Sequence, residues 1–209
     1  FVQGLRERDQ LQQVRRIEVQ LYGSLSATGI GHGSDTAVIM GLMGEWPDAI
    51  DPAQIAPRIA ALHDSQTLLL DGYLPIPFVW ASDMRLLDEN LPFHPNAMTL
   101  VAEAKNGELH RDTYYSVGGG FVVDAAQAAS GVMDTDRTQL PYDFCSAVEL
   151  LNLCREHHLS VAALMMANER TWRSEDEIRC GLLKLWHAMQ SCVEHGLKHE
   201  GILPGGLNV

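Results

Sequence analysis

Three stretches of this chain combine residue types that can move protons or hold anions. In Gly29-Ile30-Gly31-His32-Gly33-Ser34-Asp35, three glycines clear the space around one histidine. An imidazole accepts or donates a proton near neutral pH. A helix starting just beyond it would aim free N–H groups at an anion such as a carboxylate. The same residues also spell a glycine-rich turn with an exposed histidine and a capping Ser-Asp pair. In Leu91-Pro92-Phe93-His94-Pro95-Asn96, His94 and Asn96 stand two apart. An extended segment would point both to one side, where imidazole and amide can bind the carboxylate and amine of an amino acid. The competing reading is a proline-rigidified loop with Asn96 as a turn residue. The third stretch, Tyr115-Ser116-Val117-Gly118-Gly119-Gly120-Phe121, offers either an anion-binding nest or a bend at a strand end. It lacks the G-x-G-x-x-G of a dinucleotide site.

Other titratable pairs carry less. His157-His158 and His195 with His199 are metal pairs by count, but read as solvated histidines at helix ends, where the dipole favours them. Gly196 is expected to break the helix between the latter two. The acidic residues form no Asp-rich loop of calcium type. Cys145, Cys154, Cys180 and Cys192 form no C-x-x-C pair and lie in helical periodicity. They are expected to be buried thiols rather than ligands or disulfides.

The elements that must position these groups follow from hydrophobic period. Ile17, Val19 and Leu21 alternate with Glu18 and Gln20, a half-buried strand. It runs into Tyr22-Gly23-Ser24, then a flexible stretch over 26–33. A helix follows, capped by Ser34 or Asp35, with Val38 and Leu42 on one face and Gly44 at its end. A second helix starts at Asp51-Pro52 and carries Ile55, Ile59 and Leu62. Residues 68–94 read as strand pieces and loops. Met98, Leu100 and Ala102 begin a hairpin that turns at Asn106-Gly107 and returns over 109–117. From about residue 141 the period becomes helical. Phe144, Val148 and Leu151 repeat at helical spacing, and Val161 to Met166 make a second run. Ser174 and Glu177 form a capping box before Ile178, Leu182, Leu185, Met189 and Cys192. The expected class is α+β: a mixed sheet with helices packed on it over 1–140, then a helical arm over 141–209.

Composition narrows the function. The 209 residues are 46% hydrophobic and 20% charged, enough for a core and unlike a disordered chain. A net charge of -12 repels a phosphate backbone, which argues against nucleic acid. No apolar run approaches the roughly 20 residues of a membrane span, and no basic start leads into a secretory signal. A cytoplasmic protein is expected. The start at Phe1 and the loop-like end at Val209 look like cuts through something longer.

Five segments then carry a resemblance: Tyr22-Gly23-Ser24-Leu25, Gly31 to Asp35, Asn90 to Asn96, Tyr114 to Phe121, and Glu200-Gly201-Ile202-Leu203-Pro204-Gly205. In this order they resemble the bacterial iron–sulfur L-serine dehydratases. The resemblance implies an amino-terminal domain like the allosteric substrate-binding domain of some phosphoglycerate dehydrogenases. It also implies a carboxy-terminal helical domain, outside this chain, that holds a 4Fe-4S cluster on cysteines. There an open iron acts as Lewis acid on the hydroxyl of L-serine, and a base removes the α-proton. Aminoacrylate forms and hydrolyses to pyruvate and ammonia without pyridoxal phosphate. Lysines stand only at 105, 184 and 198, none in an evident cofactor loop.

Within that resemblance His32 matches the histidine proposed as catalytic base or acid, reaching the cluster across a domain contact. His94 and Asn96 match the pair associated with an effector serine site, and a homodimer is implied. The chain departs from the pattern in four places. The Ser-rich segment ending in Ser-His-Thr is absent, Ile30 stands where relatives often have Lys, Ser34 replaces Thr, and Ala97 replaces Gly. Without the cluster domain, no dehydratase activity is expected from this polypeptide. The alternatives are a serine-sensing regulatory module without chemistry, which needs His94 and Asn96 but not His32, and an oligomerisation scaffold built on the helical arm.

Overall fold

A computed structural model describes residues 1–130, 138–198 and 200–202, and of Ile30 the backbone alone. The described residues fall into two compact units, one over 1–130 and one between 138 and 202. The chain is α+β, as its hydrophobic periods predict.

In chain order the first unit contains α1 (Val2–Glu7), β1 (Arg16–Leu21), α2 (Gly23–Ala27), α3 (Gly29–His32), α4 (Ser34–Leu42), α5 (Ile55–Ser65), β2 (Thr67–Leu70), β3 (Leu74–Pro77), α6 (Trp80–Asp83), β4 (Met84–Leu86), β5 (Ala97–Ala104), β6 (Gly107–Gly118), β7 (Phe121–Asp124) and α7 (Ala125–Ser130). Five strands make one sheet in the order β4-β1-β5-β6-β7, and β2 and β3 form a separate pair. Strand β1 runs parallel to β4 and antiparallel to β5. Its burial alternates strictly, with Ile17, Val19 and Leu21 inside, because successive side chains leave opposite faces of a strand. These three pack with Ile39 and Leu42 of α4, Leu62 of α5 and Leu68, Leu70, Ile76 and Phe78 around the β2–β3 pair. Truncating one such leucine to alanine costs about 2–5 kcal/mol.

Two turns differ in detail from expectation. The β5–β6 hairpin is present, but its two turn residues are Lys105 and Asn106. Of the expected pair only Gly107 has positive φ, at 117°. The triple glycine closes a second hairpin: Gly118 pairs with Phe121, and Gly119 and Gly120 have φ of 61° and 83°. Both central residues of this two-residue turn therefore occupy the half of φ space that a primed turn needs and that only glycine enters freely.

The stretch over 26–33, expected to be flexible, is instead helical in α2 and α3. Local composition favours a loop here, but Thr28 Oγ1 donates to Ser24 O at 2.8 Å and His32 N donates to Thr28 O at 3.0 Å, closing successive helical turns. Neither Ser34 nor Asp35 caps α4. Gly33 is the N-cap, at φ 70°, without a side-chain bond. The buried Asp35 instead accepts from Thr36 N at 2.8 Å.

The second unit contains α8 (Ala147–Glu156), α9 (Val161–Glu169) and α10 (Glu175–Lys198). Ser146 and Ser160 cap the first two through bonds from Glu149 N and Ala163 N. The capping box is present: Ser174 N donates to Glu177 Oε2 at 2.8 Å, and Glu177 N donates to Ser174 Oγ at 3.4 Å. Helix α10 runs through Gly196, which does not end it. One glycine costs only about 1 kcal/mol in a helix, and Gly196 lacks the positive φ of a C-cap. The cysteines are not buried: Cys145, Cys180 and Cys192 are exposed and Cys154 is half-buried. The physical reason is that Leu164 and Ile178 are the only buried apolar side chains among the described residues of this unit, so it offers no interior for a thiol.

Candidate functional site

Three motifs of the first unit, Tyr22 to Leu25, Asn90 to Asn96 and Tyr114 to Phe121, meet at one end of the sheet. As the chain leaves β1, Tyr22 N donates to Ala97 O at 2.9 Å and Gly23 N donates to Glu89 O at 3.1 Å. Gly23 sits at φ 54°, and a Cβ added there would lie 2.2 Å from Pro95 O. A side chain at 23 would therefore push the two segments apart. Helix α2 has no cap of its own, because Tyr22 supplies none. Asn96 caps it from a distance: its Oδ1 accepts from Ser24 N at 3.1 Å and from Ser24 Oγ at 2.6 Å. Behind this corner Tyr22, Ala97 and Tyr115 form a small buried cluster. The ring of Phe93 lies 4.9 Å from that of Tyr115, and Ser116 N donates to Asn96 O at 2.9 Å.

His94 belongs to the same corner. Residues 92–96 bend rather than extend, because His94 Nδ1 accepts from Asn96 N at 3.1 Å. A turn, not strand alternation, thus sets the His94 ring against the backbone N–H of Asn96. A backbone N–H can only donate, so the neutral ring carries its proton on Nε2. The described residues give neither His94 Nε2 nor Asn96 Nδ2 a hydrogen-bond partner. His94 Nε2 and Asn96 Nδ2 are thus two N–H donors of one half-buried corner, each able to bond a carboxylate oxygen.

His32 is held in the opposite sense. It ends α3, exposed, with its Nδ1 3.0 Å from Thr28 O. A carbonyl oxygen can only accept, so Nδ1 donates and the neutral ring leaves the lone pair of Nε2 free. This imidazole is oriented as a base. It borders an open groove of about 710 Å³ floored by Gly31, Gly33 and Thr36 and walled by Ile55, Ile59 and His63 of α5. A second groove of about 370 Å³ continues past the shared Gly33, Thr36 and Ile55 to Trp46 and Ile50. His94 and Asn96 do not line either groove. Sequence reading missed His63, whose ring lies 4.5 Å from that of Trp80 at a tilt of 33°. The signal was there: Ile55, Ile59 and His63 stand at i, i+4 and i+8 on one helix face.

A second titratable group lies on β6. Burial acts to raise the Asp112 carboxyl, but bonds from His110 Nε2 at 2.9 Å and Tyr114 OH at 3.1 Å outweigh it and hold Asp112 below the ordinary carboxylate range. Burial, and then Asp112, push the Tyr114 phenol well above its usual value. Among the described residues no three His, Cys, Asp or Glu side chains gather as metal ligands. His157 packs its ring against Tyr142 at 5.0 Å, and His199 lies outside the described residues. No helix among them is long and apolar enough to cross a membrane.

Comparison with known proteins fits these observations into a family. The family model for the serine dehydratase beta chain matches residues 1–127. An L-serine dehydratase of Streptomyces coelicolor is 46% identical across all of this chain and 46% of the relative's own length. L-serine dehydratase 1 of Escherichia coli K12 is 40% identical, again over all of this chain and 46% of the relative. An L-serine dehydratase of Haemophilus influenzae is 37% identical over the same shares. The chain thus spans just under half the length of these relatives. It belongs to the serine dehydratase beta chain family.

Proposed function

We propose that this chain is the base-donating and effector-binding part, amino-terminal in the whole enzyme, of an L-serine dehydratase that converts L-serine to pyruvate and ammonia. The observation that carries the reading is the opposed orientation of two imidazoles. Thr28 O pins His32 with a free Nε2 lone pair, and Asn96 N pins His94 with its proton outward. His32 Nε2 takes the α-proton of L-serine, and the electron pair left on Cα forms the double bond as the β-hydroxyl leaves. His94 Nε2 and Asn96 Nδ2 hold the carboxylate of a second serine as effector.

The leaving hydroxyl needs an acid that the described residues do not supply. Their Cys, His and carboxylate side chains do not fit a 4Fe-4S cluster, since none gather in threes. In this reading the cluster's ligands belong to a carboxy-terminal domain outside the chain. The chain by itself is then inactive, and the working enzyme is a cytoplasmic homodimer.

The test is turnover of a full-length enzyme carrying this chain. His32→Ala abolishes it, while His94→Ala leaves turnover at saturating serine and changes its response to serine concentration. Retained turnover in His32→Ala removes His32 from the mechanism. A second reading, a serine sensor without chemistry, is favoured by Ser24, His94 and Asn96 sharing one corner within one unit. Its mark is stereoselective L-serine binding by the chain, lost in His94→Ala, together with full indifference to His32→Ala.

A further inference from the structure

The second unit shows a surface that the proposed chemistry does not use. Helix α10 is 24 residues long, about 36 Å at 1.5 Å per residue. Leu182, Leu185, Trp186, Met189, Val193 and Leu197 fall on one stripe of it, and each is between 52% and 83% exposed. The stripe begins at Ile178, which is only 6% exposed. The first turn is therefore packed and the rest of the same face is bare. Apolar surface of this extent is uncommon on a protein that works alone.

Three observations say what covers it. At 100° per residue the stripe spans about 120° of the helix, the width of a face buried in a globular core and wider than the seam of a two-stranded coiled coil. Second, Leu164 and Ile178 are the only buried apolar side chains among the described residues of this unit. Its helices are thus one layer of a core whose other layer lies elsewhere. Third, the chain accounts for 46% of the length of its Streptomyces coelicolor relative, so the full-length relatives hold more than enough polypeptide to supply that layer.

We infer that the bare face of α10 is the docking surface for the portion of the full-length polypeptide that this chain does not contain, and that the two close a single helical core. This rests on the relatives' length and on the packing, not on the roles given to His32 and His94, and it stands or falls separately from them.

The experiment is amide hydrogen exchange on the chain alone and on a chimera in which the chain replaces the matching segment of its Streptomyces coelicolor relative. In the chimera the amides of 182–197 slow by about 100-fold or more relative to the chain alone. Leu185→Asp combined with Met189→Asp returns them towards the isolated rate while the β5–β6 amides stay protected. Leu185→Met keeps the protection. Equally fast exchange of 182–197 in both proteins, with β5–β6 protected, overturns the inference. So does slow exchange in the chain alone: if it depends on concentration, a second copy is the occupant, and if it does not, the chain covers its own face.

Discussion

The two histidines that sequence spacing singles out sit in one unit yet are held by opposite hydrogen bonds. His32 ends a short helix and gives its Nδ1 proton to a main-chain carbonyl, so its free nitrogen is a base. His94 sits in a proline-flanked bend and receives a main-chain N–H, so its free nitrogen is a donor. Neither side chain's chemistry differs from the other's. The difference lies in which backbone group is within reach of Nδ1, and that is set by a helix in one case and a turn in the other. One residue type thus presents a free lone pair or a free N–H according to its secondary structure.

The largest effects are expected from removing each ring in turn from a full-length enzyme. His32→Ala should lower kcat by roughly 10²- to 10⁴-fold, the usual contribution of a positioned base. His94→Ala should leave kcat within a few-fold and weaken serine's effector action. Equal losses of kcat at both positions would contradict the division of labour.

A second test strikes the support rather than the ring. Gly23→Ala puts a Cβ against Pro95 O in a backbone conformation that alanine avoids. It should destabilise the first unit by about 1–3 kcal/mol in urea unfolding. It should also disturb the Ser24–Asn96 bonds while leaving the Thr28–His32 bond in place. Asn96→Ala removes the distant cap of α2 and should cost about 1 kcal/mol by the same measurement.

How much of this was legible in the sequence follows the range of the interaction. Strand β1, helices α4 and α5, the β5–β6 hairpin and the α10 capping box are written in local periodicity or a four-residue pattern, and each is present. Helices α2 and α3 are not legible, because Gly, Ser and Thr over 26–33 have loop-like propensity that hydrogen bonds with Asn96 and Thr28 override. Asn96 and Ser24 are 72 residues apart, and no local pattern announces that pair. The burial of the cysteines was misread because helical periodicity gives a face and not what covers it. His32, His94 and Asn96 were legible as residue types, but their hydrogen-bond roles were not.

The smallest expected effect is one of pH, and it serves as a control away from both rings. Asp112 titrates below the ordinary carboxylate range in the folded state. A carboxyl depressed on folding contributes stability above its unfolded pKa, and that contribution is lost as pH falls through the depressed folded value. Urea midpoints should therefore fall as pH is lowered through the acidic range, and Asp112→Asn should flatten part of that slope. A slope unchanged by Asp112→Asn would mean that other carboxylates set it.

The opposed hydrogen bonds of the two rings are read most directly in the tautomer of each ring. Long-range proton–nitrogen NMR of the ¹⁵N-histidine-labelled chain, at a pH where both imidazoles are neutral, reads it, with His32→Gln and His94→Gln assigning the signals. His32 should be protonated on Nδ1 and His94 on Nε2. The same tautomer at both positions would contradict it.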